Sequence, residues 1–310
     1  MFKKLYGHKK NIKILKKSYE KNFPQSWIFY GKKGVGKFLT AQAFSKWIVG
    51  RNYNKSDDFQ TNKERELKLK GKFLSNIFEV NTDESKLSVI DDIRNLIKEM
   101  LLTNMTNEKK IIIIDNFDYL SLNSINALLK NLEEPKNQIL IIIICHNIFK
   151  IPKTILSRCQ TLKFNSLAEN DFLNFYKDNP SLEINTRNYN LFDLCDGRPG
   201  LLKFVEQIDI IKIFEDIDKL IDEKKIDYEK LYGISDVYKK NPHLIDYFIK
   251  SYLYTISKNN LLKNIDDLEH YQKIVEFFSL LNKQENFNLN FDIKNYVIYL
   301  FLGFLKTLKD

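Results

Sequence analysis

Two kinds of hydrophobic spacing run along this chain. The first kind is short and strand-like: WIFY at Trp27–Tyr30, NIFEV at Asn76–Val80 and TLKF at Thr161–Phe164, with IIIID at Ile111–Asp115 and ILIIIIC at Ile139–Cys145 as its two continuous β-branched runs. Apolar runs of this length without polar alternation predict strands covered on both faces, as in a parallel sheet. Between them, apolar residues recur at three- and four-residue steps: Leu39, Ala43 and Trp47, then Leu87, Ile90, Ile93, Ile97 and Met100, then Ile125, Leu128, Leu129 and Leu132 before Pro135. Each set predicts a helix, and the second predicts an amphipathic one with its apolar side toward a sheet. Beyond about Leu167 only the helical step persists, as in Phe277, Leu280 and Leu281, and in Val297, Leu300, Phe301, Phe304 and Leu308. The order predicts an α/β domain followed by helices alone. Two polar stretches, Arg51–Lys72 and one near Asp178, read as surface insertions or linkers.

The first strand runs into GKKGVGKFLT, Gly31–Thr40, which opens the first sheet-facing helix. A glycine loop between strand and helix aims backbone N–H groups at phosphate oxygens, and the helix N-terminus adds positive potential. Gly31, Gly34, Val35, Gly36 and Lys37 are therefore the candidate phosphate cradle, spaced as G-x-x-x-x-G-K. The next residue supplies a magnesium-binding hydroxyl in working loops of this kind, and here it is Phe38; Thr40 comes two places late. A second departure accompanies it. IIIIDNFD resembles the second nucleotide motif of such proteins, with Asp115 at the strand end, but the following acid is replaced by Asn116, a neutral amide that cannot act as a base. The cradle leaves nucleotide binding open, and both losses predict weak or absent hydrolysis.

Composition adds less. At 310 residues there is room for about two domains, and the formal charge is +9. Lysine is abundant together with Asn, Ile, Phe and Tyr, which reads as a bias of the whole sequence rather than a DNA surface; the plain DNA-binding module is kept as an alternative. Cys145, Cys159 and Cys195 are too scattered for a zinc pattern or a disulfide framework, so a reducing cytoplasm is the expected setting. No signal peptide or membrane anchor is expected, because the longest apolar runs fall short of about 20 residues.

NALLKNLEEP at Asn126–Pro135, a hydrophobic strand, then IPKTILSRCQ at Ile151–Gln160 together resemble the bacterial DNA polymerase III clamp-loader family, which includes the gamma/tau and delta-prime subunits. LYGHKKNIKIL, QSWIFYGKKGVGK and GRPG (Gly197–Gly200) extend the likeness over roughly the first two hundred residues. The resemblance implies an AAA+ P-loop parallel sheet domain at 1–166, a small helical lid at 167–207 and an all-α C-terminal collar domain at 208–310. It implies a trans role for Arg158, which would reach a neighbouring subunit's γ-phosphate as an arginine finger. Within the family, an S-R-C arginine without working hydrolysis machinery resembles delta-prime, and an active gamma/tau-like ATPase is the alternative. The implied partners are the gamma/tau and delta subunits, with the sliding clamp and primer-template DNA in the complex. The loop leaves a place for ATP or ADP without hydrolysis, its occupancy is left open by the sequence, and no cofactor is required. Some relatives carry a four-cysteine zinc module where Arg51–Lys72 has no cysteine, so no zinc is expected here. His146 is read as a structural strand-end residue. Arg198 is offset from the lid arginine of active relatives, whose place is taken by Gly200, and receives no role. A small-molecule kinase is the weakest alternative, since the helical half offers no catalytic base.

Overall fold

A computed structural model describes residues 5–21, 24–53, 76–81, 109–133, 139–180, 190–208, 210–223, 227–240, 242–263, 268–283 and 293–308. The helix expected over Leu87–Met100, most of Arg51–Lys72 and most of the stretch after Asp178 lie outside these residues. Elements are numbered among the described residues. They run α1 (Lys9–Glu20), β1 (Ser26–Tyr30), α2 (Lys37–Tyr53), β2 (Ile77–Asn81), β3 (Lys110–Asp115), α3 (Leu122–Glu133), β4 (Ile139–Cys145), α4 (Lys153–Leu156) and β5 (Gln160–Lys163). The helices α5 (Glu169–Lys177), α6 (Leu191–Cys195), α7 (Leu202–Ile208), α8 (Ile210–Glu223), α9 (Tyr228–Lys240), α10 (Pro242–Lys263), α11 (Leu268–Lys283) and α12 (Ile293–Leu308) follow.

The five expected strands form one parallel sheet in the order β2-β3-β4-β1-β5. The isoleucine runs are unbroken because alternate residues face two different apolar layers. Ile28, Ile112, Ile114, Ile141 and Ile143 meet Ile125, Leu128 and Leu132 of α3 on one side. Trp27, Phe29, Ile111, Ile113, Ile142 and Ile144 meet Leu15 of α1 and Ala41, Phe44 and Ile48 of α2 on the other. A strand buried on one face would have shown polar alternation instead.

Two compact units divide the chain. One comprises residues 1–179 with 196–200, the other 180–195 with 201–310. The second is helical throughout its described residues, as the sequence pattern predicts. Its α8 buries Ile210, Ile213, Phe214, Ile217 and Leu220 along one stripe. Asp246 on α10 accepts hydrogen bonds from Tyr238 of α9 and from Tyr296 of α12 at 2.6 Å, and pairs with Lys250 at 2.7 Å. Three helices are thereby held in register by one half-buried carboxylate whose lone pairs are satisfied.

Candidate nucleotide site and rim arginine

The loop after β1 emerges at the C-terminal edge of the sheet. Tyr30 stands opposite Cys145 in the register, so the residues that follow, Gly31 and His146, are neighbours. Gly31, Gly34 and Gly36 take φ values of 143°, 88° and 99°, a region that L side chains rarely adopt. His8, just ahead of α1, contributes Nε2 at 2.7 Å from the Val35 carbonyl oxygen and braces the loop from outside.

Lys37 begins α2 and is only 4% exposed. Its ammonium donates to the carbonyl oxygens of Gly31 at 2.5 Å and Lys32 at 2.9 Å, and to His146 Nδ1 at 3.1 Å. An ammonium has three protons, and these acceptors use all three. Burial pulls the Lys37 pKa down to about 8, against the opposing pull of Asp115. His146 is held down to about 4 by burial and then by the Lys37 charge, so it is neutral near pH 7 and can accept that proton. Asp118 fixes the turn behind it, accepting from the His146 N–H at 2.6 Å and the Asn147 N–H at 3.0 Å.

A depressed lysine pKa has a definite sign. Between about 8 and the ordinary 10.5 the folded chain binds fewer protons than the unfolded one, so the cost of burying the charge is relieved as pH rises through that window. Phosphate capture runs the other way, because neutral Lys37 offers an anion no charge. The affinity for ADP is expected to fall about tenfold from pH 7 to pH 9, read by calorimetric titration. A flat profile would show that Lys37 does not hold the phosphate.

Phe38 packs, half-buried, against the cluster of Leu15, Trp27, Phe29 and Phe44. Thr40 offers no substitute hydroxyl, being buried with Oγ1 donating to the Gly36 carbonyl at 2.9 Å. At the end of β3, Asp115 accepts the Asn116 N–H at 2.9 Å, and burial raises its pKa. Asn116 adopts a left-handed conformation and donates from Nδ2 to Asn81 Oδ1 at 2.9 Å.

The GRPG segment meets the same loop. The Gly200 N–H donates to the Gly34 carbonyl at 2.9 Å, and a Cβ on Gly200 would lie 2.7 Å from Gly34 Cα. Asp196 pairs with Lys32 at 2.7 Å, and Arg198, 6% exposed, has Nε 3.7 Å from the same carboxylate oxygen. Its charge acts on Lys37.

Arg158 is elsewhere. It precedes β5, whose first residue Gln160 pairs with Trp27 and whose last, Lys163, pairs with Tyr30. The arginine therefore stands at the N-terminal edge of the sheet, while its own chain's phosphate loop is at the C-terminal edge, with the length of β5, about 13 Å, between the two edges. Arg158 is exposed on the rim. Its guanidinium pairs with Glu133 of α3 at 2.9 Å and donates to the Thr154 carbonyl at 2.8 Å and Ser157 Oγ at 3.2 Å. The sequence-derived site residues thus fall into two places, with Gly31–Lys37 and Asp115 at one edge and Arg158 at the other. Sequence reasoning missed His146 as the acceptor for Lys37, His8 as a brace and Gly200 as a packing partner. No local pattern marks them, because each acts through a contact with a segment distant along the chain.

The sequence profile described as "DNA polymerase III, delta subunit" matches residues 7–168, just over half of the chain. The chain belongs to the DNA polymerase III delta-subunit family of clamp-loader AAA+ proteins. Curated relatives of this delta-family chain carry gamma and tau names. DNA polymerase III subunit gamma of Buchnera aphidicola subsp. Schizaphis graminum is 33% identical over 57% of this chain and 48% of its own length. Subunit gamma/tau of Mycoplasma genitalium is 29% identical over 76% of this chain and 39% of its own. The chain thus spans about half or less of the length of these relatives. Among solved structures, a DNA polymerase III gamma subunit-related protein of Thermotoga maritima aligns over 96% of this chain and 99% of its own at 18% identity, with a TM-score of 0.46.

Proposed function

We propose that this chain is a delta-prime-type clamp-loader subunit of DNA polymerase III, which does not hydrolyse ATP itself and supplies Arg158 in trans to the ATPase beside it. The placement of Arg158 supports this most: the arginine lies at the sheet edge opposite its own phosphate loop, so any phosphate it serves belongs to another molecule. The chain's own cradle fits a phosphate, with Gly36 opening onto free space and Lys37 at the helix start. It does not fit a phosphate-bound magnesium ion as working loops do, since Phe38 carries no hydroxyl and the Thr40 hydroxyl is spent on Gly36. Asn116, turned toward Asn81, offers no base for water.

On this reading residues 167–207 act as a lid and 208–310 as the collar that joins subunits. The gamma/tau and delta subunits are its partners in the cytoplasm, and the sliding clamp and primer-template DNA meet it in the assembled loader. ATP or ADP stays in the loop unhydrolysed. No described helix is long and apolar enough to cross a membrane.

The gamma and tau names of the relatives favour a second reading, an active ATPase. The two separate on magnesium-dependent ATP hydrolysis by the purified chain. A delta-prime-type subunit gives no turnover above the buffer rate, with or without Lys37→Ala. Turnover abolished by Lys37→Ala would establish the motor. The trans role is tested by reconstituting a loader with Arg158→Ala.

A further inference from the structure

The lysine excess is not spread along the chain. Residues 1–21 hold eight lysines against one glutamate, a net of +7, and the rest of the chain contributes only +2 of the total. Helix α1 concentrates this charge. Lys9, Lys10, Lys13 and Lys17 are exposed on it, and Lys21 is exposed immediately after it. At 100° per residue these five fall within about a third of the helix circumference. Among the described residues, none of the five has an ion-pair partner. The opposite side is occupied: Leu15 is fully buried, Tyr19 packs edge-on against Trp47 of α2 at 5.3 Å, and Lys16 lies over the Trp47 ring. Asn11 ties the helix to the end of β5 through the Lys163 carbonyl at 2.8 Å. The basic face is thus held rigidly outward by an anchored back.

We infer that the outer face of α1 is a binding site for the phosphate backbone of duplex DNA. Lys9, Lys13, Lys17 and Lys21 rise about 6 Å per step over about 18 Å, a length that covers roughly five phosphates of one strand at 3.4 Å axial spacing. A membrane is disfavoured because Leu15 and Tyr19 of α1 are already taken up by packing on the sheet domain, leaving Ile14 as an isolated exposed apolar side chain, and an interfacial helix needs a continuous apolar side free for lipid. The site is separate from the nucleotide loop and from Arg158. Only the choice of DNA among polyanions rests on the clamp-loader reading.

The test uses the full chain and fluorescence anisotropy of a short labelled duplex of arbitrary sequence. Micromolar, salt-sensitive binding is expected, weakening by roughly 150- to 500-fold between about 50 and 200 mM salt if four or five phosphates are neutralised. The quadruple change Lys9→Gln, Lys10→Gln, Lys13→Gln and Lys17→Gln keeps good helix formers. It should lower affinity at low salt at least about tenfold and remove about three units from the log–log salt slope. The same four positions changed to arginine should bind as the unaltered chain does. Lys203→Gln, Lys212→Gln, Lys219→Gln and Lys239→Gln, exposed in the helical unit, remove equal charge and should change affinity less than about twofold. Thermal melting checks folding; if the α1 quartet melts early, Lys13→Gln with Lys17→Gln gives the same reading with half the change in slope.

Equal losses in the α1 and control sets would reduce the effect to net charge and overturn the site. So would an unchanged α1 quartet, or binding to phosphatidylserine vesicles without binding to duplex. ATP turnover in a loader carrying Arg158→Ala is a separate measurement, so failure of the DNA site and failure of the clamp-loader reading are told apart.

Discussion

Arg158→Ala is expected, on the proposed trans role, to lower ATP turnover by about 10³ to 10⁵ at one neighbouring site of a reconstituted loader, while the subunits still assemble. The magnitude reflects what a guanidinium does for phosphoryl transfer. It is planar, permanently charged and forked, and it meets negative charge that develops only in the transition state, so its loss falls on turnover rather than on nucleotide binding. Arg158→Lys should fail nearly as badly, because an ammonium is a point charge without the fork. The 2.9 Å pair with Glu133 supplies an internal control. An exposed pair of this kind contributes about 1 kcal/mol or less, so Glu133→Gln should leave folding intact and turnover within a few-fold of normal. If Glu133→Gln and Arg158→Ala lowered turnover equally, the arginine would be acting only by fastening α4 to α3, and the trans role would be lost.

Gly31→Ala is expected to cost the sheet unit more than about 4 kcal/mol, enough to abolish a cooperative melt near physiological temperature. Two effects coincide at that residue. Its φ of 143° lies where L side chains are strained, and a Cβ would stand 2.1 Å from the Phe164 carbonyl oxygen, which is backbone and cannot swing aside. Phe164 is itself tied down, its N–H donating to the Tyr30 carbonyl at 2.7 Å. Relief would require β1 and the chain after β5 to part. Gly36→Ala is the comparison: its φ of 99° strains a side chain, but nothing lies within 4 Å of the added Cβ. It should therefore melt only modestly lower, by about 1–3 kcal/mol. Circular dichroism melts of the two variants, side by side, separate steric exclusion from backbone strain; a Gly31→Ala chain that melted like Gly36→Ala would show that the clash is relieved without cost.

Much of this architecture follows from local pattern. An isoleucine run such as Ile111–Ile114 has no polar face, so it can be stable only between two apolar layers, and the alternation of such runs with three- and four-residue stripes leaves a layered parallel sheet as the arrangement that buries them all. The phosphate loop was legible for the same reason: positive φ, an open backbone and a helix start are properties of consecutive residues. The loss of the hydroxyl at Phe38 and of the acid at Asn116 can be read at single positions.

Other features depend on which distant segments meet. The acceptor for Lys37 is 109 positions away, brought there because β4 lies beside β1 in the strand order while β2 and β3 do not. Gly200 presses on Gly34 across an even longer stretch of chain. The lysines of α1 look in sequence like part of a lysine-rich background, and only the burial of Leu15 and the packing of Tyr19 on Trp47 of α2 turn them into one outward face. Arg158 could be named from its motif, but its separation from its own chain's phosphate loop appeared only once β5 was placed in register beside β1. Periodicity records which side of an element is apolar, whereas the pairing of elements depends on the closing of the whole core, and that is a property no single stretch of residues contains.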